Sequence, residues 1–302
     1  MGPFKQDQQM VKGLNSILAH CLNLFKQKRV MKKLILSLSF LFLMGFSAHS
    51  AAQEKEPSSK KEPFEFQKIN NKAFGVGEVL KYKVAYGWIN AGEARIEVKS
   101  VDRKIKNREL LHIVGEGKTV KSFDWFFKVR DRYESYVDKE GLFPWLFIRR
   151  VDEGGYIINQ DYQFFQDKGY VKNEEDSTYK VPHGVQDMLS AFYFARTLDF
   201  QSAEKNQVFT VPSFVDEEFF PLRIRYIGDE TVKIKEGKFK CMKFHPVVQE
   251  GRIFADDDDL TVYITKDENK IPILAKAKVL VGSIRMELTG YENLANPVAK
   301  ID

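Results

Sequence analysis

Residues 80–88 read Leu80-Lys81-Tyr82-Lys83-Val84-Ala85-Tyr86-Gly87-Trp88. Apolar side chains recur at every second position through Leu80, Tyr82, Val84, Tyr86 and Trp88, with Lys81 and Lys83 on the other side. A period of two is the mark of a strand with one buried and one solvated face. Asn90-Ala91-Gly92 then supplies a turn, and Ala94, Ile96 and Val98 alternate with Arg95, Glu97 and Lys99. The stretch predicts an antiparallel hairpin.

The same alternation returns at Phe123, Trp125, Phe127 and Val129, at Tyr156, Ile158, Gln160, Tyr162 and Phe164, and at Phe220, Leu222, Ile224 and Tyr226. Near the C-terminus, Glu236-Gly237-Lys238 turns between strands at 232–235 and 239–248, and 260–265, 271–281 and 283–291 read as consecutive strands. One segment breaks the rhythm. Val185, Met188, Leu189, Phe192 and Ala195 form a helical stripe, which predicts a main helix over about 185–199 with Asp187 in its positive first turn. The expected fold is mainly β: a strongly curved antiparallel sheet or open β-barrel with one main α-helix.

Ahead of the strands lies a targeting signal. Met31-Lys32-Lys33 is a short basic region, Leu34 to Phe46 an apolar run, and Ser50 and Ala52 the small residues of a cleavage site before Gln53. The run is shorter than the ~20 residues that span a bilayer, so no integral membrane segment is expected after cleavage. The organisation expected is an over-long extension at 1–30, a signal peptide at 31–52, a flexible lead-in at 53–70 and a single β-rich domain at 71–302. The location expected is the periplasm. Of the 47 basic and 42 acidic residues, cleavage removes seven and one, leaving 40 and 41. A nucleic-acid partner is therefore not expected, because it needs a clustered basic surface. Cys241 is the one cysteine left after cleavage and reads as a buried structural thiol.

Motifs for chemistry are missing from the sequence. His112, His183 and His245 are far apart, without metal-ligand spacing. Asp256 to Asp259 could ligate a cation through oxygen, but they lack the glycine and glutamate positions of a calcium loop and read as a solvated acidic turn. Neither a nucleophile elbow nor a glycine-rich phosphate loop occurs. No metal, no cofactor and no catalytic residue are assigned, and an enzyme is the lesser expectation. Aromatics make up 13% of the chain; they read first as core and helix packing and second as an apolar ligand surface. Pairs such as Phe126-Phe127, Phe164-Phe165 and Phe219-Phe220 send one ring to each face of a strand. Tyr86, Trp88, Trp125, Phe127 and Trp145 are the candidate ligand-binding residues.

The order of several short motifs resembles a bacterial family, domain of unknown function 3108. They are Gly77-Glu78, Leu80, Tyr82, Val84, Tyr86-Gly87 and Ala91-Gly92 at the opening, then Asp187, Leu189-Ser190, Phe192-Tyr193 and Arg196 on the helix. Gly237, Phe239, Cys241, Lys266-Asp267, Ile271-Pro272 and Gly282-Ser283 complete it. The resemblance runs from about Gly75 to Tyr291. It implies an exported, mostly β protein of unassigned activity, with Asp187, Ser190, Tyr193 and Arg196 as the helix motif, and carries over no catalytic residue. A curved sheet crossed by a helix is similar in outline to periplasmic carriers of lipids or lipoproteins. The leading expectation is a non-catalytic periplasmic binding or carrier module for an apolar or amphipathic envelope ligand: a lipid, an acylated peptide or another envelope component. An envelope protein–protein scaffold is the alternative, and an envelope hydrolase the third.

Overall fold

Tight hairpins dictate the architecture. Lys106-Asn107, Gly154-Gly155 and Asp216-Glu217 each take positive φ at both central residues, the backbone twist that matches two right-twisted antiparallel strands. In the computed structural model, which describes residues 64–247, 259–278 and 282–301, such turns link β1 (Val79–Tyr86), β2 (Ile89–Ile105), β3 (Arg108–Thr119), β4 (Val129–Asp138), β5 (Pro144–Glu153), β6 (Tyr156–Phe165), β7 (Tyr170–Lys172) and β8 (Thr178–Lys180) into one antiparallel meander. A second meander follows: β9 (Val208–Val215), β10 (Glu218–Ile234), β11 (Gly237–Pro246), β12 (Leu260–Thr265), β13 (Pro272–Lys278) and β14 (Ser283–Glu292). Pairing of β1 with β14 joins the two halves, and the short β15 (Lys300–Ile301) adds to β11. The result is a 15-stranded, mainly β antiparallel sheet running from β8 to β9 without closing into a hydrogen-bonded cylinder.

Side chains close what the backbone leaves open. Phe214 of β9 packs edge-on against Tyr162 and Phe164 of β6 and lies beside Tyr179 of β8. Between the two edges runs an extended segment: the Gln186 amide donates to the Pro212 carbonyl at 2.8 Å, and the Phe214 amide to the Gln186 carbonyl at 2.7 Å. From the other side, the Gln166 carboxamide donates to the Val185 carbonyl at 3.0 Å.

Among the described residues two helices interrupt the strands, α1 (Lys121–Asp124) and α2 (Met188–Ala195). The main helix is shorter than the predicted 185–199, and Val185 to Asp187 are extended. Asp187 itself is the reason. Its carboxylate accepts from the Leu189 and Ser190 amides at 2.8 Å, while the Ser190 hydroxyl accepts from the Asp187 amide, so the helix can only begin after it. Phe192 packs against both the core around Leu80, Phe239 and Leu288 and that around Val98, Ile113 and Val137. Tyr193, beyond the predicted stripe, is the most deeply buried ring of the helix.

The predicted strand through Phe123, Trp125 and Phe127 is instead α1 and a loop, and β4 starts only at Val129. The predicted turn at Asn90-Ala91-Gly92 lies inside β2, and the chain reverses at Gly87-Trp88. A side chain at Gly92 would meet the Lys118 carbonyl at 2.7 Å, so this glycine permits close strand approach rather than a turn. The expected leader (1–52), most of the lead-in and Asp256 to Asp258 lie outside the described residues. The end of the lead-in expected over 53–70 packs onto the domain: Phe66 stacks on Phe143, and the Ile69 amide donates to the Glu140 carbonyl.

Candidate functional site

The helix motif forms an internal tie. Arg196, at the end of α2, donates two hydrogen bonds to Glu78, at 2.6 and 2.8 Å, and further bonds to the Asn269 and Ala73 carbonyls. Both members of the pair are buried. The guanidinium faces the rings of Phe74 and Tyr193, and burial pushes the Tyr82 and Tyr193 phenols far above their usual range. Glu78 and Arg196 satisfy each other, and Arg196 also reaches the Asn269 and Ala73 carbonyls, so the motif anchors the helix to the start of β1 and to the loop before β13. Asp187 is likewise buried. It caps the helix and accepts from the Ser135 hydroxyl at 2.5 Å, and burial nonetheless raises its carboxyl to about 6. Ser190, the next residue of the motif, is part of the buried cap.

The five candidate aromatics separate into different environments. Trp145 is core: it packs with Phe143, Leu110 and Phe66 and donates its indole N–H to Asp138 at 3.2 Å. This corrects its assignment to a ligand surface, since a β5 side chain at this position faces inward. Tyr86 is half-buried beneath Gly282, and Phe127 is half-buried against Gly154, where a side chain would meet its ring at 2.4 Å. Trp88 and Trp125 differ from all of these, being 93% and 79% exposed.

Strand register brings these two tryptophans to one end of the sheet. Tyr86 pairs with Ile89 at the Gly87-Trp88 turn, Gly92 pairs with Thr119, and the Val120 amide donates to the Ala91 carbonyl. The loop of residues 120–128 therefore starts beside the first hairpin tip. It ends beside the next, because the Gly154 amide donates to the Lys128 carbonyl. Phe126, Tyr156 and Ile157 are exposed at the same end. The loop is held in shape from below. Arg130 makes a two-pronged contact with Asp124, at 3.0 and 2.6 Å, and the Thr119 hydroxyl donates to the same carboxylate. These donors hold the Asp124 carboxyl down to about 2.

The residues bracketing that loop went unused in the sequence reading, although Lys118, Lys121, Lys128 and Arg130 flank Phe123, Trp125, Phe126 and Phe127 on both sides. Their spacing was the available signal.

Below the tips, the outward face of β1 to β6 forms an open groove of about 830 Å³. Its cations are largely matched: Lys81 pairs with Glu292, Arg95 with Glu97, Arg132 with Glu116 and Glu134, and Arg150 with Asp161. Such a face is self-neutralised. Asp131, lining the groove, is the unusual group, because burial and then the neighbouring Glu153 raise its carboxyl to about 8. A carboxyl raised in the folded state binds its proton more tightly there than in the unfolded chain. Its contribution to stability is therefore present below about pH 4 and lost as pH rises through about 8. Asp131→Asn should accordingly raise the Tm at pH 8 and change it little at about pH 3, below the unfolded-state pKa. Equal shifts at both values in thermal unfolding would contradict this protonation.

Among the described residues no group of three or more metal-ligating side chains converges. His112 pairs with Glu134 at 2.6 Å, and the His183 ring bonds the Gln166 carbonyl. No helix of the described residues is long and apolar enough to cross a membrane.

An antiparallel meander curled until its edges meet through side chains, with one helix in its interior, defines a β-barrel-like protein open along one seam. The chain belongs to the family described as Protein of unknown function (DUF3108), whose model matches residues 81–289. Among solved structures it is similar to a β-barrel-like protein of domain of unknown function DUF1849 from Brucella abortus, with 10% identity over 72% of this chain and 97% of that one, at a TM-score of 0.45. A protein described as a lipoprotein from Parabacteroides distasonis matches at 10% identity over 76% of this chain and all of its own, at a TM-score of 0.30. Comparison with the curated proteins finds no match.

Proposed function

We propose that this is a non-catalytic envelope protein that binds an amphipathic ligand, such as a lipid or acylated peptide, at its hairpin tips, after export to the periplasm. The exposure of Trp88 and Trp125 at one end of the sheet carries this reading. Leaving two indoles in water is costly, and soluble domains rarely do so together without a partner. The interior supports a surface site rather than an enclosed carrier, because Trp145, Phe143, Phe147 and Phe214 are packed as core. The export half of the proposal rests on the 31–52 leader.

A monomeric acylated peptide at micromolar concentration should shift the tryptophan emission to the blue, which corresponds to about 8 kcal/mol of binding. Trp125→Ala should weaken the response without lowering the Tm, because the ring makes little core contact. Unchanged emission with lipid and acylated peptide alike would reject the reading in favour of a protein–protein scaffold.

A further inference from the structure

We propose that the tip end docks onto the surface of an anionic lipid bilayer, with Trp88 and Trp125 at the level of the headgroups and Lys118, Lys121 and Lys128 against the lipid phosphates. This rests on the binding reading above and names its partner. Three observations at one place support it. The most exposed aromatic side chains of the described residues, Trp88 and Trp125, sit on adjacent tips. Indoles are the side chains that favour the boundary between headgroups and acyl chains, where the ring is half-desolvated and its N–H stays wet. Charge is arranged to match: Lys121 and Lys128 are exposed at the two ends of the aromatic loop, Lys118 lies just before it with the Glu93 carboxylate at 3.9 Å, and Asp124, the acid within the loop, is held by Arg130.

The third observation is that the loop is built before it binds. The Thr119 hydroxyl accepts from the Val129 amide at 3.0 Å, Arg130 clamps Asp124, and the Phe127 ring occupies the space over Gly154. A preformed loop loses little conformational freedom on docking, so its rings can contribute most of their burial to association. A protein groove would be expected to meet Trp88 and Trp125 with shape-matched pockets. A bilayer needs only that apolar and basic groups share a level, which is what antiparallel tips at one end of a sheet provide.

The test is co-sedimentation of the full mature chain with vesicles of phosphatidylcholine alone and with phosphatidylcholine containing phosphatidylglycerol. Binding is expected to the anionic vesicles, to weaken with added salt, and to be accompanied by quenching of tryptophan emission by lipids brominated near the headgroup. Replacing Lys118, Lys121 and Lys128 by Gln should weaken anionic-vesicle binding by about a hundredfold, from roughly fivefold per lysine at such a surface. The Trp88→Ser, Trp125→Ser double variant should lose the quenching as well. Should a variant fail to fold, salt titration and depth-dependent quenching of the unaltered chain decide the matter. Absence of vesicle binding overturns the inference, as does a concentration-dependent dimer that buries both indoles. If monomeric acylated peptide shifts the emission while vesicles do not, the bilayer inference fails and the binding reading stands.

Discussion

Glu78→Gln is expected to destabilise the domain by about 3–5 kcal/mol, the cost of leaving one member of a buried ion pair without its partner. Glu78 and Arg196 are both almost wholly shielded from water, and Glu78 supplies both of the acceptors for the two guanidinium nitrogens that point toward β1. A glutamine can accept only one of those bonds and leaves the charge of Arg196 uncompensated. Replacing both residues by Met should cost less than the sum of the two single changes, because no isolated charge then remains. It should not restore full stability, since the Ala73 and Asn269 carbonyls lose their donor. Urea denaturation of the four species checks this as a double-mutant cycle. Additive losses would show that the two groups do not act as a pair.

The second large effect is expected at the seam. Phe214→Ala should cost about 3–5 kcal/mol by removing a fully buried ring and leaving a cavity among Tyr162, Phe164 and Tyr179. The loss should be accompanied by faster amide exchange at Gln186 and Phe214, whose backbone bonds run along that seam. A substitution of equal size in the core around Phe239, such as Phe239→Ala, should lower stability without that local signature. If exchange at the seam is unchanged by Phe214→Ala, the edges are held by backbone alone and side-chain closure is wrong.

Much of this was legible from periodicity. Leu80 and Tyr82 turn inward while Lys81 and Lys83 turn out, as alternation requires, and the late strands fall where their turns place them. What misled were residues whose spacing has a cause other than the sheet. Phe123, Trp125 and Phe127 alternate but belong to a loop that carries its rings at the surface. Val185 fits a helical stripe but sits in the extended segment ahead of the Asp187 cap. Gly92 looks like turn chemistry but serves close strand approach. The site was half-legible. Trp88 and Trp125 stood out, but no one-dimensional pattern shows that their hairpins share an end, or that Trp145 on β5 points the other way. The pairing of Glu78 with Arg196, 118 positions apart in sequence, depends wholly on the fold.

The neighbour of β1 is the last long strand of the chain. Its pairing with β14 joins residues separated by roughly 200 positions, a contact whose loop-closure cost must be met before it returns anything. Every other long strand finds its partner in the hairpin just made. A chain emerging N-terminus first can therefore assemble β1 to β8 while one side of β1 still has no partner. That strand, central in the finished sheet, is an open edge for nearly the whole of synthesis, with Leu80 and Tyr82 on its apolar side. Open edges invite pairing with other chains. The lysines at 81 and 83 then have a role before folding is complete, as charges that discourage a wrong neighbour until the right one arrives.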